Sequence, residues 1–407
     1  MIVAPGAGAG PVLLVTVTGP DQPAVAAALM QALADISADV RDVEQVVVHG
    51  RLLLGLLVEG PGAGALAAAL TGVTAPFGLS AEIRPVGVAP HAAALVAAGD
   101  GDSQLVTVLA PELGATELGA VAGAVAEAGA TIKRIVQLSR YPVTSYELQV
   151  RGGQAGEVRR LVTEAAACHS LDVAVQRDGL HRRAKHLIVL DVDSTLVQGE
   201  VVDLLAERAG CQAEVAAITE AAMAGELEFG SALRERVALL AGLDTAVLAD
   251  VASQLPLMPG ARTLIRTLKR LGYATAVVSG GFTEIIKPIT AELGIDRVAA
   301  NRLGVSGKLL DGTLVGPVID RAGKAAALVR FAAEAGVPLE RTVAVGDGAN
   351  DLDMLAVAGL GIAFNAKPLV RHAADTALNV PYLDAILFLL GLSRHEVEAA
   401  DAAETLR

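Results

Sequence analysis

The chain has 407 residues, 53% hydrophobic and 19% charged, with a net charge of −13 and two cysteines. That length asks for about two to four domains, and that apolar content excludes a disordered chain. The acidic balance and the absence of tryptophan exclude a binder of nucleic-acid backbones, while leaving room for a local basic pocket that takes a small anion. Cys168 and Cys211 stand in no metal-ligand spacing, which reads as two free thiols in a reducing cytosol. The opening MIVAPGAGAG has no basic residue ahead of an apolar run, and no apolar stretch reaches the roughly 20 residues of a membrane span. The expectation is a soluble cytoplasmic protein with neither a membrane nor a nucleic-acid partner.

In chain order, VLLVTVTG (Val12–Gly19) reads as a strand and residues 22–36 as a helix. Residues 39–60 read as two strands turning at His49–Gly50, followed by a second helix ending near Gly78 and the strand LSAEIRPVG. The order is βαββαβ, a small split α+β sandwich of ferredoxin-like type. A linker rich in Ala, Gly and Pro (residues 85–103) follows, and the same order restarts at QLVTVLAPE and ends at LDVAVQRD, an internal repeat of pattern more than of identity. Gly179–His186, GLHRRAKH, reads as a solvated basic connector. Beyond it, strands at Leu187–Leu190, Thr275–Val278, Thr342–Val345 and Leu360–Ala363 alternate with helices, which predicts an α/β domain on a parallel sheet. Residues 201–255 are too long for a plain crossover and read as an inserted helical cap. The expected domains are residues 1–95, 96–180 and 181–407.

Each strand of the third domain ends in polar residues. The first ends at Asp191 and Asp193, the second at Ser279, Gly280 and Gly281, and the third at Asp347, Asn350 and Asp351; Lys324 opens a helix between the last two. Sites in such sheets lie at the C-terminal ends of the strands, so neighbouring strands would bring these groups together. Asp191, Asp347 and Asp351 would repel one another in a crevice, and a hard divalent cation such as Mg²⁺ relieves this. With Lys324 and the Ser279 hydroxyl, the set describes phosphoryl transfer: Asp191 attacks phosphorus, and Asp193 protonates the leaving oxygen and then activates water.

DVDST, SGGF, the lysine of AGKAAAL and GDGANDLDML resemble the four motifs of the haloacid dehalogenase (HAD) superfamily of phosphatases, in order, over about residues 187–392. The resemblance implies Asp191 as nucleophile and Asp193 as acid/base. It implies a metal held by Asp191, the Asp193 carbonyl and Asp347, with Asp351 in support. DSTLVQGE and MAGELEFGSALRERVALL resemble the phosphoserine phosphatase family more narrowly. That implies hydrolysis of O-phospho-L-serine at the last step of serine biosynthesis. In it Glu200 meets the substrate ammonium, Arg236 its carboxylate, Met223 and Phe229 its apolar side, and Asn350 orients it near Lys324, with Ser279 and Gly280 on the phosphate. The two N-terminal units resemble ACT domains, which implies a homodimer and an amino-acid effector such as L-serine. TGPDQPAVAAAL carries Ala24 where that family's D-x-P-G turn has glycine, and the second copy lacks the signature.

The residues alone leave open transfer of phosphate to an alcohol, a different small phosphomonoester, or a sensor with a vestigial catalytic domain. Other motifs fail: Val277 stands where a G-x-S-x-G elbow needs its first glycine, and AGKA lacks the first glycine and the Ser or Thr of a P-loop.

Overall fold

Strands with alternating apolar residues pair into two small sheets of one topology. A computed structural model of the chain describes residues 11–86, 103–179, 182, 184–223 and 227–405. In the first sheet β1 (Val12–Pro20), β2 (Asp39–Val48), β3 (Arg51–Glu59) and β4 (Ser80–Pro85) lie antiparallel in the order β2-β3-β1-β4. Helices Val25–Asp35 and Ala63–Thr74 bury Leu29, Leu33, Leu66 and Leu70 against Val15, Val17, Leu54 and Leu56. Ala24, ahead of the first helix, has φ 71°. The left-handed conformation of the glycine position is therefore kept by a residue that pays for its Cβ.

The second sheet repeats the order as β6-β7-β5-β8, from β5 (Ser103–Ala110), β6 (Ala130–Ser139), β7 (Thr144–Gly152) and β8 (Asp172–Arg177). Most of the expected linker, residues 87–102, lies outside the described residues. The chain forms two units, residues 1–99 and 100–407, so the second small fold and the third domain share one unit.

The third domain carries a parallel sheet, β11-β10-β9-β14-β15-β16. Its strands are β9 (Leu187–Leu190), β10 (Ala274–Phe282), β11 (Arg297–Asn301), β14 (Thr342–Gly346), β15 (Gly361–Phe364) and β16 (Thr376–Leu378). β9 is fully buried: Ile188 and Leu190 face one core, Leu187 and Val189 the other, as a strand between two helical layers requires. The two outermost strands and the hairpin of β12 (Leu303–Ser306) and β13 (Leu309–Leu314) were not expected from the sequence. The cap comprises helices Val201–Ala209, Gln212–Met223, Phe229–Ala238 and Ala246–Gln254. The hairpin braces it, with Gly242 N–H donating to the Leu310 carbonyl at 2.8 Å and Thr245 N–H to that of Lys308 at 2.8 Å.

The connector at residues 179–186 departs from the solvated expectation. Residues 180, 181 and 183 lie outside the described set, but Arg182 and Lys185 are each only 5% exposed. Arg182 pairs with Glu147 of β7 at 2.6 Å and donates to the Leu389 carbonyl at 3.2 Å. Gln176 donates to the same carbonyl at 2.8 Å. Both satisfy the C-terminal end of helix Ile386–Leu389. Beside it, the Asp172 carboxylate accepts from Asn379 N–H and Nδ2 (2.6 Å each) and Val380 N–H (3.2 Å). The Thr376 hydroxyl donates to the Val173 carbonyl at 2.8 Å. These bonds clamp β8 to the segment around β16.

Candidate active site

β9 ends at Leu190, and Asp191 continues its line, donating its N–H to the Val345 carbonyl of β14 at 2.9 Å. Ser194 then turns through φ 57°, and its N–H donates to the Gly199 carbonyl at 3.1 Å. The turn leaves Asp191 and Asp193 facing one cavity of about 500 Å³. That cavity is also lined by Glu200, Phe229, Arg236, Gly280, Lys324, Asp347, Asn350 and Lys367.

Lys324 is the electrostatic centre. It is 1% exposed and donates to Asp191 Oδ1 at 2.6 Å and Asp351 Oδ1 at 2.7 Å. Burial opposes its charge, but the two carboxylates outweigh that and hold its pKa above the ordinary value. Asp351 also accepts the Gly348 N–H at 3.0 Å. A Cβ on Gly346 would collide with the Asp351 carboxylate, so this approach needs glycine. Thr195 donates to Asp347 Oδ1 at 3.5 Å.

Asp193 is held at both oxygens. Oδ1 accepts the Val201 N–H at 2.8 Å, at the first residue of the cap, and Oδ2 accepts from Ser279 at 3.1 Å. Gly281 N–H in turn donates to Ser279 Oγ at 2.7 Å. Burial raises the Asp193 pKa against the pull of these bonds. Asp191 is pushed well above the usual carboxylate range by burial and then by Asp351, with Lys324 opposing. Asp347 rises to about 6, through burial and then Asp351. Glu200 rises to about 7, through desolvation in the cleft and then Asp193 and Asp347.

Ligand oxygens of Asp191, Asp347 and Asp351 lie within 4.8 Å of one another. Burial first and the neighbouring carboxylates second raise these pKa values, and the one ammonium of Lys324 does not offset both. An all-oxygen donor set of this charge fits a hard divalent cation.

Opposite the acids, the cap contributes Phe229 and Arg236. A Cβ on Gly280 would come 3.3 Å from the Phe229 ring. Among the described residues no carboxylate pairs with Arg236, whose Nε donates only to the Ala232 carbonyl at 3.4 Å. Burial lowers its pKa, while Glu200 and Asp203 oppose that. Glu200 accepts from Ser194 at 3.2 Å. Ser279 and Asp351 support the cavity from behind rather than lining it, and Met223 ends its helix with a side chain outside the described set. Lys367, Val202, Thr219 and Leu233 line the cavity unforeseen. Lys367 follows the end of β15, so the strand-end rule applied to NAKP would have found it.

A parallel sheet with a buried aspartate continuing its central strand, a buried lysine bridging two acids and a helical cap define a haloacid dehalogenase-like hydrolase, and the family model of that description matches residues 188–356. ACT domain models match residues 11–82 and 102–176. The chain is 50% identical over 403 residues to the phosphoserine phosphatase of Streptomyces coelicolor, covering 96% of this chain and 95% of that one. It is 52% identical over 397 residues to that of Mycobacterium tuberculosis, covering 96% of each. A probable phosphoserine phosphatase from Vibrio cholerae superposes with a TM-score of 0.59 at 33% identity, covering 70% of this chain and 86% of that one. The chain belongs to the phosphoserine phosphatase family.

Proposed function

We propose that the chain hydrolyses O-phospho-L-serine to L-serine and phosphate through an aspartyl-phosphate on Asp191. The observation that carries the substrate class is one cavity lined by Asp191, Glu200 and Arg236, the last with no carboxylate partner among the described residues. A zwitterion needs an anion for its ammonium and a guanidinium for its carboxylate.

In the first half-reaction an Asp191 oxygen attacks phosphorus and the bond to the serine oxygen breaks. Asp193 gives its proton to that oxygen as it leaves; the raised pKa suits it to arrive protonated. In the second half-reaction Asp193 takes a proton from water, whose oxygen attacks the phosphorus of the acyl phosphate and frees Asp191. Lys324 holds Asp191 in place and offsets phosphate charge, and the Gly280 amide offers a hydrogen bond to a phosphate oxygen, with Ser279 behind it fixing Asp193. Asp191, the Asp193 carbonyl and Asp347, with Asp351 in support, would hold Mg²⁺, which would supply charge neutralisation for the phosphate. Phe229 and Met223 form the apolar side, and Asn350 orients the substrate near Lys324.

The ACT domains belong to the same reading as an amino-acid-responsive region, with L-serine as the effector, and as the contact that pairs two copies of a cytoplasmic chain. Exposed Val46 and Leu53 on the first ACT sheet support such pairing.

The test is phosphate release from O-phospho-L-serine, phosphothreonine, phosphoethanolamine and a sugar phosphate, with Mg²⁺ and with chelator. Metal-dependent preference for O-phospho-L-serine is expected. Preference for an ester without ammonium or carboxylate would overturn the role of Glu200 and Arg236. Full turnover by a folded Asp191→Asn variant would overturn the nucleophile.

A further inference from the structure

The cavity holds four lining carboxylates, Asp191, Asp193, Glu200 and Asp347, on a chain of net charge −13. A phosphomonoester dianion approaching it meets repulsion before it reaches Lys324, which is buried and already committed to Asp191 and Asp351. Arg236 lies on the cap side, half-buried. Lys367 lines the same cavity and differs from both in being exposed, and among the described residues no carboxylate pairs with it.

Its backbone is fixed on every side. Asn365 turns through φ 46° and donates its N–H to the Leu378 carbonyl at 2.7 Å, Ala366 is buried, and Pro368 opens the next helix. The Lys367 N–H points to the Asp347 carbonyl at 3.4 Å. The anchor is rigid and next to the acidic cluster, while the four-carbon stem and its compact, strongly hydrated charge stay free to move. A mobile cation at the rim of a focusing cleft raises the rate at which anions arrive, and because it is exposed its effect is screened by salt.

We propose that Lys367 captures the phosphate group at the mouth of the active site and guides it inward, acting on arrival rather than on the chemical step. The proposal rests on the phosphatase reading and assigns Lys367 to the phosphate, leaving the carboxylate to Arg236.

The test uses the full chain with Mg²⁺ and the variants Lys367→Ala, Lys367→Arg and Lys367→Glu. Turnover of O-phospho-L-serine by the wild type, measured first, decides the phosphatase reading alone. At low salt K367A is expected to lower kcat/KM about tenfold with the loss on KM, K367E to lower it further, and K367R to hold within about twofold. The gap between wild type and K367A should close between about 20 and about 300 mM NaCl. Inorganic phosphate should inhibit K367A more weakly than the wild type, and phosphoethanolamine, which lacks the carboxylate, should show the same loss as O-phospho-L-serine. An unchanged kcat/KM in K367A, or a gap indifferent to salt, overturns the proposal. So does a loss confined to kcat, which would put Lys367 in the chemical step, or a loss absent with phosphoethanolamine, which would put it on the carboxylate. If the wild type proves inactive on every ester, equal inorganic phosphate affinity of wild type and K367A by calorimetry overturns the capture role separately.

Discussion

In the first ACT domain Leu14, Val46, Val48 and Leu53 lie on the sheet face away from the helices, and they are 38%, 53%, 47% and 46% exposed. In the second, that face carries Leu109, Leu138 and Ala174, all buried in the core of the phosphatase domain. The strand order is the same in both. An apolar sheet face needs cover, and only the second copy finds it in the fold of its own unit. Identical topology has thus become a structural wall of the enzyme in one copy and an open surface in the other.

The comparison breaks most readily at the clamp. Arg182→Met should cost the second unit about 3 kcal/mol, because Glu147 loses its ion-pair partner in a largely buried setting. Urea unfolding followed by far-UV dichroism and by activity would measure it; an undisturbed midpoint would mean the wall is not needed. Asp172→Ala strips an acceptor from three donors and should cost about 2 kcal/mol. Burial raises the Asp172 pKa against those same bonds. A carboxyl protonated more readily folded than unfolded loses stability as pH rises through the window from its ordinary value, 3.8, up to its folded value. Wild type should therefore weaken across that window relative to Asp172→Asn, and parallel pH profiles would reject the assignment.

The first domain offers smaller effects. Ala24→Gly should stabilise it by about 1 kcal/mol by relieving a left-handed alanine, read as slower amide exchange in β1 and its helix. The corresponding helix of the second domain is capped instead by Glu117, which accepts the Gly114 N–H at 2.8 Å. Smallest of all, Val46→Ser with Leu53→Ser should change monomer stability by no more than about 0.5 kcal/mol. It should nevertheless lower the dimer fraction in light scattering; an unaltered dimer would place the pairing surface elsewhere.

The sequence made the long-period features legible. Alternation drew both ACT sheets, and polar residues at strand ends drew the acid cluster, since burying Asp191 behind Leu187–Leu190 makes sense only with Lys324 opposite. It hid what depends on contact across the chain. β16 has three residues, too few to show a period. Arg182 sits in a basic run that reads as solvated until Glu147 and the Leu389 carbonyl are brought to it by folding. Lys367 carries no motif; only its place just after the end of β15 hints at it, and the cavity it lines gives it meaning.

The clamp between Asp172 and the residues after β16 also orders events in time. Its partners are separated by 207 positions in the chain, so on the ribosome the second ACT domain is complete long before Asn379 is synthesised. β16 is the last and outermost strand of its sheet, and outer strands are where stray chains add on. Asp172 and the Val173 carbonyl bond to residues in and just after this strand, so the second ACT domain occupies part of the place where a stray chain would add.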